Sequence, residues 1–419
     1  MLDITQLNCF LSMQAATGTS KPGPHLEAFS ADDSLVPLAV ANPQPMVTWR
    51  VTRSCNLNCL HCTYDSRPRR YESELTTAEG KTLISDLAAM QVPQLLFAGG
   101  EPLMRGDLLE LVAYTRERGI QPSLYCNGTL LSRAQATGLK HAGLHSVSIL
   151  LEGIGREVDR HRGAPGVFNA VLEAYANCEA ASLAAEIRTP LNRWNYPELA
   201  AILAFIERRR IQQVVFAHLV YAGRGNGLQD DLTHDEKRRA LDLILERAED
   251  FHGRGIKIKI ATDENYADGI YFYLRLARRN PLRAAAAYRM LQACGAGVQG
   301  AGVGRAGIDA VGDVHPDSYW ANYILGNVRE TPFSQIWEKS SDPLLRGLRD
   351  RLPLLKGRCA NCRWKQACGG NLRVRAEEFF GDPWMPDPAC YLTDKEISKE
   401  VTEQDEVMED HVLLSEQAA

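Results

Sequence analysis

The stretch Cys55-Asn-Leu-Asn-Cys59-Leu-His-Cys62 decides how the rest of the chain is interpreted. Its three cysteines, separated by three and then two residues, follow directly after the β-rich run Met46-Val-Thr-Trp-Arg-Val-Thr52. Thiolates ligate iron–sulfur clusters and zinc, and three of them leave one metal position open, as catalytic metal sites do. The stretch therefore predicts a metal site that a substrate or cofactor completes. A partial zinc knuckle, or buried thiols without metal, is the alternative interpretation.

The composition is that of an ordinary globular protein of 419 residues, 45% of them hydrophobic and 24% charged. This length predicts a large core and two domains. The 11 cysteines are odd in number and include two tight clusters, which indicates metal ligation in a reducing compartment. Because the sequence shows no signal peptide and no apolar run of about eighteen residues, we expect a cytoplasmic protein without a membrane partner.

The net charge of −5 is concentrated at the C-terminal end. Residues 394–419 contain nine acidic side chains and two lysines, whereas the remainder carries 45 basic and 43 acidic residues. This balance gives no electrostatic reason to expect nucleic acid or an anionic membrane as a partner. We expect the acidic tail to be solvated.

From Met46 onward, short apolar runs alternate with amphipathic segments, a pattern typical of βα units and a parallel sheet. Capping boxes at Thr76/Glu79 and Thr233/Glu236 predict two helix starts. After about residue 255 the alternation stops, and residues 308–316 read as a hairpin with a Gly-Asp turn. The predicted strands are 47–52, 95–98, 123–126, 146–151, 185–189 and 214–220.

The same pattern divides the chain into four predicted parts. Residues 1–45 are rich in proline and short on periodicity, and we expect a loosely ordered extension. Residues 46–255 form the α/β unit, residues 256–392 form a second unit, and residues 393–419 form the acidic tail.

A second set of cysteines lies in the second unit. Cys359, Cys362, Cys368 and Cys390 supply four thiolates, which is a complete ligand set. From spacing alone, a 4Fe-4S cluster and a four-cysteine zinc site fit equally well, because both need these ligands.

The first motif resembles the signature of the radical S-adenosylmethionine (SAM) superfamily. Gly99-Gly100-Glu101-Pro102 follows it by about forty residues, at a predicted strand end, where that family has a similar motif. The resemblance implies an enzyme with a partial (β/α)6 barrel. It also implies a SAM-binding 4Fe-4S cluster on Cys55, Cys59 and Cys62, and reductive cleavage of SAM to a 5'-deoxyadenosyl radical.

The second set resembles the C-terminal SPASM or twitch domains of such enzymes, which implies an auxiliary 4Fe-4S cluster in residues 256–392. By resemblance to the radical SAM family, Gly99 to Pro102, Asn127 and Ser148 are SAM-contacting candidates. Arg188 is a further cofactor-binding candidate as a carboxylate clamp, and a surface or helix-dipole arginine is the alternative interpretation of Arg188 and of Arg224. Glu152 stands where many relatives have Asp, so the role of this acid stays open. An Asn-Gly turn is a further interpretation of Asn127.

Several later stretches look like the radical SAM proteins of haem d1 biosynthesis, among them 218–224, 262–271, 312–320 and 368–376. This resemblance implies a sirohaem-derived tetrapyrrole substrate whose propionate or acetate side chains are removed or altered, and a reductant such as flavodoxin or ferredoxin. Residues that could bind this substrate or act on it are His218, Arg224, His315, Tyr319, Arg373 and Arg375.

Two alternatives remain at this point. A peptide-modifying maturase would share both domains, although the N-terminal extension is too short and proline-rich for an added peptide-recognition domain. A non-catalytic iron–sulfur electron carrier or redox sensor would not need the Gly99–Pro102 motif beside three rather than four cysteines.

Overall fold

The strands of this protein form one continuous sheet in the computed structural model, which describes residues 2–5, 44–225, 228–294 and 300–398. Most of the predicted N-terminal extension and of the acidic tail lies outside these residues. The strands are β1 (Leu2–Asp3), β2 (Met46–Thr52), β3 (Gln94–Gly99), β4 (Gln121–Cys126), β5 (Ser146–Leu150), β6 (Ala184–Leu191), β7 (Gln213–His218), β8 (Lys259–Asp263), β9 (Arg305–Ile308), β10 (Asp313–His315) and β11 (Gly326–Asn327).

The strand order is β1-β8-β7-β6-β5-β4-β3-β2-β9-β10-β11. All neighbours from β2 to β8 are parallel, and each successive strand lies beside the previous one, as in a βα barrel. The sheet is not closed, because β1 and β11 form its two edges. The predicted α/β class, the six predicted strands and the partial barrel are therefore confirmed.

Sequence reasoning missed two parallel strands. β8 extends the barrel beyond β7, and β9 pairs with β2 from more than 250 positions away. Both are short, and a short strand gives a weak signal, although α8 follows β8 as in the other βα units. The hairpin prediction is confirmed, because β9 and β10 pair antiparallel with Val314 opposite Ile308.

The helices follow the strands and cover the outer face of the sheet. Trp49 on β2 is fully buried, with its ring 6.0 Å from that of Phe97. Gly80 in α1 allows this packing, because a Cβ there would lie 2.6 Å from the Trp49 ring. The helices are α1 (Thr77–Ala89), α2 (Leu108–Glu117), α3 (Arg133–His141), α4 (Arg156–Arg162), α5 (Val167–Ala180), α6 (Leu199–Arg209), α7 (His234–Gly253), α8 (Ala267–Ala277), α9 (Pro281–Cys294), α10 (Phe333–Glu338), α11 (Pro343–Arg349), α12 (Gly357–Asn361), α13 (Lys365–Cys368), α14 (Arg373–Phe380) and α15 (Asp394–Ile397).

The helix starts confirm both capping-box predictions, since the Thr76/Glu79 and Thr233/Glu236 pairs each make the reciprocal bonds. Among the helices of the described ranges, none is long and apolar enough to cross a membrane.

The inner face of the sheet is polar. Side chains on neighbouring strands hydrogen-bond across it, as Ser148 on β5 donates to Glu186 on β6 at 2.5 Å, and Gln213 on β7 donates to the other Glu186 oxygen at 2.8 Å. Because strand residues alternate between faces, apolar residues pack under the helices while polar residues line the inner surface. This surface is the one available to ligands.

Arg375 connects the C-terminal helices to the strand ends. Its guanidinium donates to the carbonyls of Leu219, after β7, and Glu264, after β8, at 2.9 and 2.7 Å. It also pairs with Asp387 at 2.8 Å, and both side chains are fully buried. Arg375 therefore joins the segment that carries the second cysteine set to the open end of the barrel.

We expect Asp387→Asn to lower the free energy of unfolding by about 3–5 kcal/mol, because it leaves the Arg375 charge buried without its partner. Chemical denaturation of the anaerobic protein measures this change. Asp382→Asn is the matched control, since Asp382 pairs with the half-exposed Lys356 and such pairs contribute less than about 1 kcal/mol. Equal effects of the two substitutions would contradict the joining role of Arg375.

Candidate functional site

The three cysteines of the first motif converge on one loop at the carboxyl end of β2. Burial raises the pKa of Cys55 to about 11, and the charges of Cys59 and Cys62 add to this shift, which shows that the three thiols share one electrostatic environment. Backbone amides already point at the sulfurs: Leu57 N–H donates to Cys55 Sγ at 3.4 Å and Ser66 N–H to Cys62 Sγ at 3.3 Å. Thiolates bound to iron accept such bonds, so the donor set fits an iron–sulfur cluster.

The ends of β3 and β4 fasten one side of this loop. Gly100 N–H donates to Thr52 O at 2.7 Å, and a Cβ at Gly100 would lie 2.1 Å from Ser54 O. The glycines are therefore required by contact with the backbone that leads into the cysteine loop. Their predicted contact with SAM stays a prediction.

Glu101 and Asn127 connect the same two strand ends. The Glu101 carboxylate is fully buried and accepts from the backbone N–H of Asn127 at 2.8 Å and of Leu103, after Pro102, at 3.1 Å. Burial raises the pKa of Glu101 to about 7. The Asn127 amide donates to Asn56 Oδ1 at 2.9 Å, so it holds the cysteine loop in addition to forming its own turn.

The end of α4 holds the middle of the loop through a network that the sequence did not reveal. Arg162 is 2% exposed and donates to Glu152 at 2.8 Å, and His61 contacts the other Glu152 oxygen at 2.9 Å. Burial opposes ionisation of Glu152, but Arg162 and His61 outweigh it and bring its pKa to about 2. The Arg162 charge also acts on Cys59. The signal available in the sequence was Glu152 itself, which precedes Gly153. Its partner Arg162 lies ten residues later and could be identified only from the structure.

Arg224 holds the far side of the loop. Its guanidinium donates to Cys59 O at 3.1 Å, to Ser66 O at 2.9 Å and to Asp65 at 2.6 Å. The Arg224 N–H donates to Cys62 O at 2.9 Å. The structure therefore brings this predicted substrate residue to the cysteine loop, where all of its described contacts are made.

Two other candidates lie on the inner face of the barrel. Ser148 is bonded to Glu186, and Arg188 pairs with Asp263 at 2.7 Å and with Glu264 at 3.3 Å. Arg305 contacts the same two acids at 3.2 and 3.3 Å, so two arginines and two carboxylates form a neutral group. The roles of Ser148 and Arg188 toward SAM remain predictions.

A cavity of about 420 Å³ lies beside residues 63–66, which follow the cysteine loop, and the ends of β2 and β3. Arg50, Tyr64, Gly99, Gly100 and Tyr319 are among the residues that line it. The Tyr319 hydroxyl donates to Glu264 at 3.2 Å, which places this candidate between the cavity and the neutral group.

Arg50 differs from the other inner arginines, because no carboxylate of the described residues pairs with it. Its guanidinium lies 5.2 Å from the Tyr64 ring centre and donates to His315 Nε2 at 3.3 Å. The other ring nitrogen of His315 donates to Tyr323 O at 2.8 Å, which assigns a neutral imidazole. Burial and the Arg50 charge lower the pKa of His315 accordingly.

The four later cysteines form a second centre. Burial raises the pKa of the Cys368 thiol, and the charges of Cys390, Cys359 and Cys362 raise it further. The four thiols therefore share one pocket, and we predict that they hold the auxiliary cluster. Among the described residues, no three His, Cys, Asp or Glu side chains are placed to hold a single metal ion.

Contacts from the second centre reach the barrel strands. Tyr391, next to Cys390, donates to Asp268 at 2.7 Å, and the other Asp268 oxygen lies 3.0 Å from His218 Nε2, at the end of β7. Asn371, three residues after Cys368, accepts from Tyr266 N–H at 2.8 Å. His218 is thus enclosed in a buried hydrogen-bonded group between the two centres.

Comparison with known proteins agrees with this arrangement of two cysteine centres on an open barrel. A radical SAM superfamily profile matches residues 49–215, and the profile of an iron–sulfur cluster-binding domain, SPASM, matches residues 300–363. The chain is 42% identical to Fe-coproporphyrin III synthase of Methanosarcina barkeri, and the similarity covers 95% of this chain and 99% of that protein. The chain belongs to the radical SAM superfamily.

Two further similarities cover most of the chain. Pre-heme d1 synthase of Dinoroseobacter shibae is 39% identical over 85% of this chain and 88% of that protein. The crystal structure of anSMEcpe with bound AdoMet superposes with a TM-score of 0.64 at 16% identity, over 88% of this chain and all of that one. The second similarity shows a shared fold.

As a radical SAM enzyme with a SPASM domain, the protein uses 4Fe-4S clusters and SAM. Together these cofactors supply reductive cleavage of SAM and a 5'-deoxyadenosyl radical. The protein contributes placement: Cys55, Cys59 and Cys62 would hold the SAM-binding cluster, and Cys359, Cys362, Cys368 and Cys390 would hold the auxiliary cluster.

We expect Arg224→Gln to weaken retention of the first cluster by about tenfold to a hundredfold, since residues that orient metal ligands have effects of this size. The measurement is the rate at which a chelator removes iron. It is monitored through the EPR signal of the first cluster, which is the signal that changes when SAM binds. Arg67→Gln is the control, because Arg67 follows the cysteine loop, is about half exposed, and forms its described ion pair with Asp65, which Arg224 also contacts. Iron loss at the same rate in both variants would refute the bracing role.

Proposed function

We propose that this radical SAM enzyme acts in alternative haem or haem d1 synthesis, where it removes or alters propionate or acetate side chains of a sirohaem-derived tetrapyrrole. The single observation that carries the proposal is the similarity over nearly the whole chain to Fe-coproporphyrin III synthase, supported by the similarity to pre-heme d1 synthase. This similarity covers 95% of the chain, and so it extends over both sets of cysteines and the barrel strands.

Arg50 supports a substrate that carries carboxylates, although the cavity is lined by Asp65, Asp309 and Glu378 as well as by Arg50 and Arg53. Arg188 and Arg305 are neutralised by Asp263 and Glu264, and so they offer no free positive charge. Arg50 lines the cavity, and among the described residues it has a ring nitrogen and an aromatic face for partners but no acid. A guanidinium in this state binds a carboxylate bidentately. We therefore propose that Arg50 receives one carboxylate side chain of the tetrapyrrole.

The arrangement gives the remaining residues separate tasks in this proposal. Tyr64 and Tyr319 offer ring surface to the macrocycle, and neutral His315 holds the Arg50 guanidinium toward the cavity. Gly99 and Gly100, which contact the backbone that leads into the first cysteine loop, line the same cavity as Arg50. In this proposal, a side chain held at Arg50 is the one from which hydrogen is abstracted.

The first test is chemical. Anaerobically reconstituted protein supplied with dithionite, SAM and didecarboxysirohaem should release 5'-deoxyadenosine and change the mass of the tetrapyrrole, and Cys59→Ala should do neither. Iron-coproporphyrin III serves as a mass standard for one expected product, because the Methanosarcina barkeri relative is named as its synthase. Release of 5'-deoxyadenosine without a mass change in the tetrapyrrole would reject the substrate and leave the enzyme class intact. A modified peptide would favour the maturase alternative.

The second test concerns Arg50. We expect Arg50→Gln to raise the KM for the tetrapyrrole by about tenfold to a hundredfold, the size expected when one hydrogen-bonded charge pair is lost. The KM for SAM should stay unchanged. Arg69→Gln is the matched control, since Arg69 lines a separate cavity and rests on Tyr71. A rise in the KM for SAM instead would assign Arg50 to the cofactor.

A further inference from the structure

Arg373 is buried with two hydrogen-bond donors that no protein group accepts. The side chain is 1% exposed, and its Nη1 donates to Pro383 O at 2.8 Å and to Met385 O at 2.7 Å. Its Nε and Nη2 have no partner among the described residues. A buried donor without an acceptor costs about 1–3 kcal/mol, and more when it carries a charge. The side chain therefore points to an acceptor that is not part of the chain.

The surroundings of Arg373 identify where that acceptor lies. A Cβ built on Gly370, two residues after Cys368, would lie 3.2 Å from the Arg373 guanidinium carbon. Gly370 has a φ of +79°, so the loop that follows the third cysteine turns directly onto this side chain. Burial lowers the pKa of Arg373, and the charges of Asp387, Cys359 and Cys368 oppose this shift, so the guanidinium lies near two of the four thiols as well as near Asp387.

The nearby acids do not supply the missing partner. Asp387 accepts from Arg375, from Leu372 N–H at 3.0 Å and from Ala389 N–H at 2.8 Å. Glu377, one turn along α14, has its own unpaired oxygen, and within the described residues no ion pair joins it to Arg373. Asp387 thus acts on Arg373 by its charge but accepts no hydrogen bond from it, and Nε–H and Nη2–H of Arg373 have no acceptor among the described residues.

We propose that Nε–H and Nη2–H of Arg373 donate hydrogen bonds to sulfur atoms of the auxiliary 4Fe-4S cluster, and that Arg373 thereby sets the reduction potential of that cluster. The inference rests on the predicted ligands Cys359, Cys362, Cys368 and Cys390 and does not depend on the tetrapyrrole substrate. Reduction adds one negative charge to the cluster, and a cation with two N–H donors stabilises the reduced form more than the oxidised form. Arg373 is a positioning residue in this role, whereas the sequence suggested that it binds substrate.

The experiment compares variants in a full-length Cys55→Ala/Cys59→Ala/Cys62→Ala background, in which the auxiliary cluster is the one that reconstitution can assemble. EPR-monitored redox titration gives its potential. We expect Arg373→Gln to decrease the equilibrium constant for reduction at least tenfold, which is about 59 mV for one electron. Lys365→Gln is the matched control: it removes an equal charge from the same cysteine segment, where the ammonium donates to Ala360 O at 3.2 Å.

A second pair of measurements covers the case in which Arg373→Gln fails to assemble the cluster. Arg373→Lys keeps the charge but cannot reproduce the paired N–H donors, and we expect a smaller decrease in potential. Pulsed EPR with 15N-arginine should detect coupling between the reduced cluster and arginine nitrogen, and Arg373→Lys should abolish this coupling. An unchanged potential in the assembled variants, or 15N coupling that survives in Arg373→Lys, would overturn the proposal.

An increase in the KM for the tetrapyrrole at unchanged potential would also overturn it, and would return Arg373 to the substrate role. This comparison uses Arg373→Gln in the chain with both clusters. Failure of the tetrapyrrole to react would leave the potential measurement unaffected, so the two proposals fail separately.

Discussion

The structure depends on holding a loop of three thiols in place from outside, because the loop has no regular secondary structure with which to hold itself. Residues 55–62 form neither helix nor strand. Gly100 anchors the entry to the loop, Arg162 and His61 connect its centre to Glu152, and Arg224 binds carbonyls at its far side. A cluster with three protein ligands needs this bracing more than one with four, since the chain must leave one side open.

These anchors come from the carboxyl ends of different strands, which explains the arrangement of the barrel. Parallel strands place all their following loops at one edge of the sheet, so groups distant in the chain meet there. Arg224 follows β7 and Asn127 follows β4, yet both contact the same eight-residue loop. Because β9 pairs with β2, the second unit continues the sheet that carries this site. Arg375, Asn371 and Tyr391 then connect the second centre to the ends of β7 and β8.

The interior arginines differ in whether an Asp or Glu side chain pairs with them. Arg188, Arg305 and Arg375 lie in the interior with carboxylate partners, which offset the cost of burying their charge. Arg50 and Arg373 lack such partners among the described residues: Arg50 lines the cavity described above, and Arg373 lies near Cys359 and Cys368. The buried arginines thus fall into two groups, those with a carboxylate partner in the protein and those without one among the described residues.

The amino-acid sequence by itself determined the family, the cofactors and the α/β architecture, because cysteine spacing, strand alternation and capping boxes are local patterns. It also indicated the motif at Gly99–Pro102. It did not show why glycines are required there, which is that they contact the Thr52–Ser54 backbone. It missed β8 and β9, because their pairing partners are distant and their own signals are short. Only the tertiary structure decided what each arginine does: a guanidinium looks the same in sequence whether it braces a loop, joins two units or awaits a ligand, and its role depends on which acceptors the fold brings within reach.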